Sequence, residues 1–419
     1  MRKLFPSYLI IVALFSIILI QSCKKQDNTT ETYVTDEKFV AISEARDVAE
    51  KIDYNDFFGD SIKKSTLKSA STLDKRVIKD SLAVCDKNNK QNCYFYVFNY
   101  KAGGFCIVSA DKRNTPVIAF SDQGSFNIKL ESISVGLAQW MEGSAAIIKN
   151  KRNQKLKSSS SIDEQWERAE NPSITNISTL KMEPITPPQR SYVYTVGPLL
   201  KTTWDQGCGY NDYCPNMSNP NNCDHAFTGC ATTAIAQVLA YWKFPSTYNW
   251  SAMSLTYGND YVARLMGDIF PNVISSYNEK TGSACTNDYN ITHVLLNTFH
   301  FRSASLAGYV NGITENGGMD DTKIIQNVIS NQPVIIGGME SSWSILGIPV
   351  TNGGHVWVVD GYKYCYAAGH DGMGGIGKIY YGINWGWSGT YNGWFSMDSW
   401  STPNGNYNCY NDMIFNIYP

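Results

Sequence analysis

Cys230, His355 and Asn384 are, in chain order, the residue types of a nucleophile, a general base and a group that orients the base. Cys230 lies in T-G-C-A-T-T-A-I-A-Q-V-L-A-Y-W-K-F-P, residues 228–245. There Ile235, Val238, Leu239 and Trp242 recur at helical spacing and Pro245 marks where the helix has stopped. A cysteine on the first turn of such a helix meets unpaired N–H groups and the positive end of the helix dipole, and both favour thiolate. The stretch alone fits a small buried apolar residue just as well, so its partners decide. His355 opens an apolar strand in G-G-H-V-W-V-V-D-G-Y, where Gly353 and Gly354 clear space beside the ring. Asn384 ends the strand pattern K-I-Y-Y-G-I-N-W-G-W. A hairpin turning near Gly369–His370 sets His355 opposite Asn384, with Cβ atoms about 4.5–5.5 Å apart. The thiol and imidazole are then expected as a thiolate–imidazolium pair. Upstream, the Gln206 amide in W-D-Q can join a helix-start N–H in holding an oxyanion, although by itself it reads as a surface loop residue. Trp385 and Trp387 either shield the His–Asn hydrogen bond from water or are core residues. His370 is a weak base candidate, because nothing orients it.

These elements occupy the later part of a 419-residue chain, long enough for two or three domains. Residues 191–419 hold nine of the 11 tryptophans and carry 8 basic against 15 acidic side chains, while residues 1–190 carry 27 against 22. Opposite signs suit one part docking on the other. With a net charge of −2 and no basic stripe, nothing points to nucleic acid. A helix is expected over Glu37–Ile52, with Phe39, Ile42, Ala45, Ala49 and Ile52 inward. Short strands follow between Tyr94 and Phe126, with a hairpin turn at Gly103-Gly104, and then a helix over Val135–Ile148. Residues 36–150 thus form a small α+β domain. Residues 151–190, rich in Ser and Pro, are a linker or a segment ordered only against something else.

At the start, Arg2 and Lys3 precede an apolar run from Leu9 to Ile20 and then Ser22-Cys23. That is a secretory signal over 1–22, too short to span a membrane comfortably. The Ser-Cys junction resembles a bacterial lipobox, which implies lipidation of Cys23, a tether over 23–35, and contact with a membrane only through that lipid. Eleven cysteines in an exported chain make disulfides reasonable: Cys85 with Cys93, or two of Cys208, Cys214 and Cys223, with the connectivity open.

T-G-C-A-T-T-A-x-A-Q, G-G-H-x-x-V-x-D-G and N-W-G-W-S-G, with W-D-Q-G upstream and N-Q-P-V-I-I-G-G before the histidine, resemble the streptopain family of papain-like cysteine peptidases. Residues 103–126, G-G-F-C-I-V-S-A-D-K-R-N-T-P-V-I-A-F-S-D-Q-G-S-F, resemble that family's inhibitory propeptide. The resemblance implies an α+β fold, with a helical and an antiparallel β subdomain over 191–419 behind the pro-domain. It implies a zymogen cleaved within 151–190, with the pro-domain as intramolecular inhibitor and proteins or peptides as substrates. On the matching positions it makes Cys230 the nucleophile, His355 the base and acid, Asn384 the orienter and Gln206 the oxyanion donor. Ser283, in a small-residue loop, Gly354, Trp385 and Trp387 become candidates for binding substrate. No cofactor or metal is implied. The three cysteines between Gln206 and Cys230 and the long loop after His355 depart from the family pattern.

Three other readings compete. Cys208, Cys214, Cys223, His225 and Cys230 crowd together as a zinc set would, although without paired C-x2–4-C spacing. A surface lipoprotein could use a peptidase-like fold for adhesion, which predicts loss of a catalytic residue. An acyltransferase could use the same triad with an amine as acceptor.

Overall fold

The computed structural model describes residues 36–52, 76–129, 133, 135–171, 192–218, 222–274, 276–277, 284–286, 288–310, 313–315, 320–338, 346, 354–367, 376–396 and 412–419. Cys23, the signal and tether, Ser283, residues 172–190 and the turn near Gly369–His370 lie outside the described residues.

The front domain opens with α1 (Ile42–Lys51), which buries Ala45, Val48 and Ala49. It starts five residues later than the sequence pattern predicts. Phe39 is held in extended chain by a bridge to Asp111, and Ile42 is left 42% exposed. Four antiparallel strands follow: β1 (Ile78–Asp86), β2 (Asn89–Tyr100), β3 (Phe105–Ser109) and β4 (Val117–Ser121). β1 was not foreseen, because its polar-rich sequence I-K-D-S-L-A-V-C-D lacks a continuous apolar run. Gly103 and Gly104 turn the chain between β2 and β3 with φ of 93° and 85°. A Cβ on Gly104 would sit 2.3 Å from the Ser121 carbonyl oxygen, so only glycine fits. Helix α2 (Val135–Asn153) lies across this sheet, and α3 (Ser160–Glu170) follows, capped by the Ser159 hydroxyl accepting from Ile162 N. Trp166 of α3 is buried and donates its indole N–H to Asn114 O at 2.8 Å. The first part of the 151–190 stretch is therefore chain ordered against the front domain.

Asp111 ties α2 to the β3–β4 turn. Its carboxylate accepts from Arg113 N at 2.8 Å and from Arg152 Nε at 2.7 Å, and it pairs with the Arg113 guanidinium at 3.1 Å. A fully buried carboxylate is tolerated because both oxygens are occupied by charge-assisted donors.

Behind it come β5 (Tyr192–Val196), α4 (Cys230–Trp242), α5 (Asp260–Val273), β6 (Ser303–Val310), β7 (Ile313–Glu315), α6 (Asp321–Ile329), β8 (Val334–Gly338), β9 (His355–Ala367), β10 (Ile376–Asn384), β11 (Gly393–Ser396) and β12 (Asp412–Tyr418). These twelve strands form one sheet in the order β1-β2-β3-β4-β11-β10-β9-β8-β12-β6-β7, with β5 added to β9, and Ser276–Tyr277 pairs separately with Ala284–Cys285. The join between front and back is a ladder, Phe120 on Trp394 and Ala119 on Phe395. One face of the sheet packs Phe95, Phe105 and Trp140 of the front against Trp357, Trp385 and Phe395 of the back. The other face packs α4 and α5 through Ile235, Val238, Leu239, Leu265 and Ile269 onto Val356 and Val358. The two domains are joined by backbone hydrogen bonds and apolar burial, which hold independently of the charge imbalance read from the sequence.

Candidate active site

Cys230 is the first residue of α4, and its cap Gly229 takes φ +84°, a turn that glycine makes without steric cost. The helix is buried nearly all round, but Cys230 itself is partly exposed, and its thiol is outside any disulfide. Thr233 braces this turn: its hydroxyl lies 3.2 Å from both Gly229 O and the Thr228 hydroxyl, and 3.4 Å from Asp205 O. Thr228 N donates to Gln206 O at 3.0 Å, which fixes Gln206 beside the start of the cysteine helix. Asp205 holds this loop in turn, accepting from Gln206 N at 2.7 Å and from the Ser388 hydroxyl.

His355 is the first residue of β9, paired with Gly338 of β8 and 5% exposed. Its Nε2 lies 3.0 Å from the carbonyl oxygen of Trp385. A carbonyl can only accept, so Nε2 carries the proton and Nδ1 is the bare, basic nitrogen of the neutral ring. The indoles of Trp357 and Trp385 stack on the imidazole with centroids 6.1 and 6.5 Å away, and Trp387 meets it edge-on at 5.8 Å. Burial in this layer pushes the His355 pKa down to about 4, against the opposing pull of the Trp385 carbonyl. In this tryptophan layer the imidazole is therefore neutral at pH 7, in place of the imidazolium expected from the sequence.

The expected pairing of His355 with Asn384 is not observed: Asn384 lies opposite Val358, three positions further along β9. The register is set at Gly361 and Gly382, which face each other so closely that a Cβ on Gly382 would lie 2.8 Å from Gly361 Cα. A Cβ on Gly361 would meet the Trp394 ring at 2.8 Å. The glycine pair lets Trp394 lie flat over the hairpin, and a bulge between Val359 and Gly361 completes the offset. His355 thus projects past the end of β10, and its anchor is the backbone of the next residue, Trp385. Asn384 works one step behind. Its Oδ1 accepts from Gly386 N at 3.0 Å and its Nδ2 donates to Thr202 O at 2.9 Å.

The chain after β10 then runs along α4. Asn384 meets Gln237, a Cβ on Gly386 would touch Thr233 Cγ2 at 3.3 Å, and Ser388 N donates to Trp204 O at 3.3 Å. Residues 384–386 therefore walk up the helix from its second turn toward Cys230. Trp385, whose carbonyl anchors His355, lies between those two contacts. Gln237, one position of the helix motif, is a site residue that the sequence pattern does not single out. Its signal was a lone amide in an otherwise apolar helix.

Among the substrate-binding candidates, Gly354 is exposed, and a side chain there would crowd the Gly338 carbonyl at 2.9 Å. Trp385 is wholly buried and Trp387 only partly, which leaves Trp387 the better placed to face a ligand. Cys208 and Cys223 are joined as a disulfide, as are Cys85 and Cys93. That bond removes two thiolates from the zinc alternative. Cys214 is buried, which pushes its thiol up to about 12.

Residues 204–249 and 245–395 match the Peptidase C10 family, and residues 34–148 match the Spi protease inhibitor family. The chain belongs to the streptopain family of cysteine peptidases. Streptopain from Streptococcus pyogenes is 24% identical over 353 residues, covering 73% of this chain and 74% of the relative. The thiol protease/hemagglutinin PrtT of Porphyromonas gingivalis is 24% identical over 356 residues, 74% of this chain but 34% of that protein. The fold is shared with a fragment of prointerpain A from Prevotella intermedia, at a TM-score of 0.52 and 19% identity, over 81% of this chain and 99% of that one. The papain-like α+β fold and peptidase class expected from the sequence are thereby met, with an inhibitor domain in front of the catalytic one.

The depressed His355 pKa has a consequence for stability. A histidine whose folded pKa lies below its unfolded value contributes stability above about pH 6.5, and loses it as pH falls toward 4. Buried Asp360, raised to about 7, has the opposite slope. Comparing Cys230→Ala with Cys230→Ala/His355→Gln cancels the Asp360 contribution. Denaturant titrations at pH 7 and pH 4 should show the precursor losing on the order of 3 kcal/mol more than the double variant. Equal losses would contradict the burial of a neutral imidazole.

Proposed function

We propose that this streptopain-family peptidase is an exported, lipid-anchored endopeptidase made as a zymogen, with Cys230 as nucleophile, His355 as base and acid, and Gln206 as oxyanion donor. The observation that carries the reading is the path of residues 384–386 along α4, which sets the His355 anchor beside the Cys230 turn. In this scheme the Cys230 thiol gives its proton to Nδ1 of His355, and the thiolate attacks the peptide carbonyl. The Gln206 amide and the Cys230 backbone N–H hold the oxyanion. His355 then protonates the leaving amine and takes a proton from the water that releases the acyl group. The Trp385 carbonyl, steadied by Asn384 behind it, keeps Nε2 protonated throughout and so takes the orienting role expected of Asn384.

Latency follows from the same contacts. Gly136 of α2 lies against the tryptophans that stack on His355: a Cβ there would come within 2.6 Å of the Trp357 ring and 2.9 Å of Trp385. The covered imidazole is held neutral and dry, and loss of the front domain rehydrates it so that a thiolate–imidazolium pair can form. Lipidation of Cys23 rests on the signal and the Ser22-Cys23 junction. Acyl labelling that persists in Cys23→Ala would sink it.

Cys230→Ala should abolish both peptide hydrolysis and any self-processing. Gln206→Ala should lower kcat by on the order of 10²–10³ while leaving the melting temperature in place. Retained cleavage by pure Cys230→Ala refutes the nucleophile assignment. Gly136→Leu should wedge α2 off the tryptophan layer, so the unprocessed precursor becomes more active, or processes faster, than the parent. A precursor equally latent with leucine at 136 would show that this contact plays no part in latency.

A further inference from the structure

The catalytic scheme leaves the one amide side chain of the cysteine helix unused. Gln237 sits two turns into α4, wholly buried within a run where every residue from Ala231 to Leu239 is buried. An amide in that position is costly unless each of its groups finds a partner. Its oxygen lies 3.0 Å from the Thr202 hydroxyl and 3.3 Å from Trp204 N. A backbone N–H can only donate, so the atom facing Trp204 must be Oε1, which also lies 3.2 Å from Asn384 Nδ2 and leaves Nε2 toward Asn384 Oδ1 at 3.2 Å. Asn384 is oriented by the same logic, with Gly386 N donating to its Oδ1 and the Thr202 carbonyl accepting from its Nδ2.

We propose that Gln237 is the positioning residue of this site, clamping together the three segments that carry the chemistry. It belongs to the helix that begins at Cys230. Through Thr202 and Trp204 it holds the chain that reaches Gln206 two residues later. Through Asn384 it holds the residue immediately before Trp385, whose carbonyl anchors His355. One side chain thus fixes nucleophile, oxyanion donor and base relative to one another without touching substrate. The inference rests on the reading of Cys230 and His355 given above.

Two substitutions separate positioning from bulk packing. Gln237→Met keeps the volume but leaves the Thr202 hydroxyl, Trp204 N and Asn384 Oδ1 without this partner. Gln237→Glu, when protonated, reproduces the pattern: one oxygen accepts from Thr202 and Trp204, and the O–H donates to Asn384 Oδ1. Once ionised it has only acceptors, set against the Asn384 oxygen, and burial raises the pH at which this happens.

The measurement uses processed protein recovered from the full-length chain, a fluorogenic peptide substrate, and an irreversible epoxide to count active sites. Gln237→Met should lose on the order of 10–100-fold in kcat per titrated site with KM changed less than about twofold, as misplacement of reacting groups produces. Gln237→Glu should work at acidic pH and fall away, as the carboxyl ionises, through a limb absent from the wild-type kcat profile. If Gln237→Met keeps kcat per site within about twofold, or Gln237→Glu follows the wild-type pH profile, the clamp is overturned. Should Gln237→Met fail to fold, the pH profile of Gln237→Glu, taken with unchanged circular dichroism across the range, decides alone. Mapping the epoxide in wild-type protein keeps the parent reading separate: a label on a residue other than Cys230 overturns the nucleophile assignment instead.

Discussion

The site depends on one hydrogen bond, from Nε2 of a buried histidine to the carbonyl oxygen of Trp385. It fixes the tautomer of His355, turns the basic nitrogen away from the strand, and links the base to the stretch of chain that runs along the cysteine helix. A backbone carbonyl is a durable choice of anchor, because no side-chain rotamer can move it without moving the chain. The Gly361–Gly382 pair and the bulge beside it exist, in effect, to deliver that carbonyl. They shift the hairpin so that His355 overshoots the end of β10 and meets residue 385.

The front domain is built onto the same sheet that carries the site. The front domain extends the catalytic sheet through β4 and shares its aromatic core, with the Trp140 indole donating to Ser396 O at 3.3 Å. A contact made of ladder bonds and apolar area does not weaken with salt as an exposed charged interface would. Packing of Trp357 and Trp385 on the imidazole removes water from it and holds its pKa far below that of a solvated histidine.

Much of this was legible in the chain. The cysteine helix shows its period and its glycine start, the Gly103-Gly104 turn needs residues without Cβ, and the order of the motifs implies the peptidase fold. The pairing of His355 with Asn384 was not legible, because strand register depends on the glycine pair and on Trp394, which is remote in sequence from His355. Nor was the role of Gln237. A buried amide announces itself only when its partners, here at 202, 204 and 384, are brought around it. The helix over 160–170 was hidden by its polar composition, since its stability comes from docking Trp166 and Ala169 onto the front domain.

We propose that Cys230 is the thiol made reactive by its place on α4 and by His355. Treating the processed protein with iodoacetamide near neutral pH and mapping the modified cysteines tests it directly. Cys106, Cys214 and Cys365 are buried and should react slowly, whereas Cys230 should be alkylated first, with peptidase activity falling in parallel. Full activity after stoichiometric alkylation of Cys230, or activity lost only as another cysteine is modified, would contradict the account.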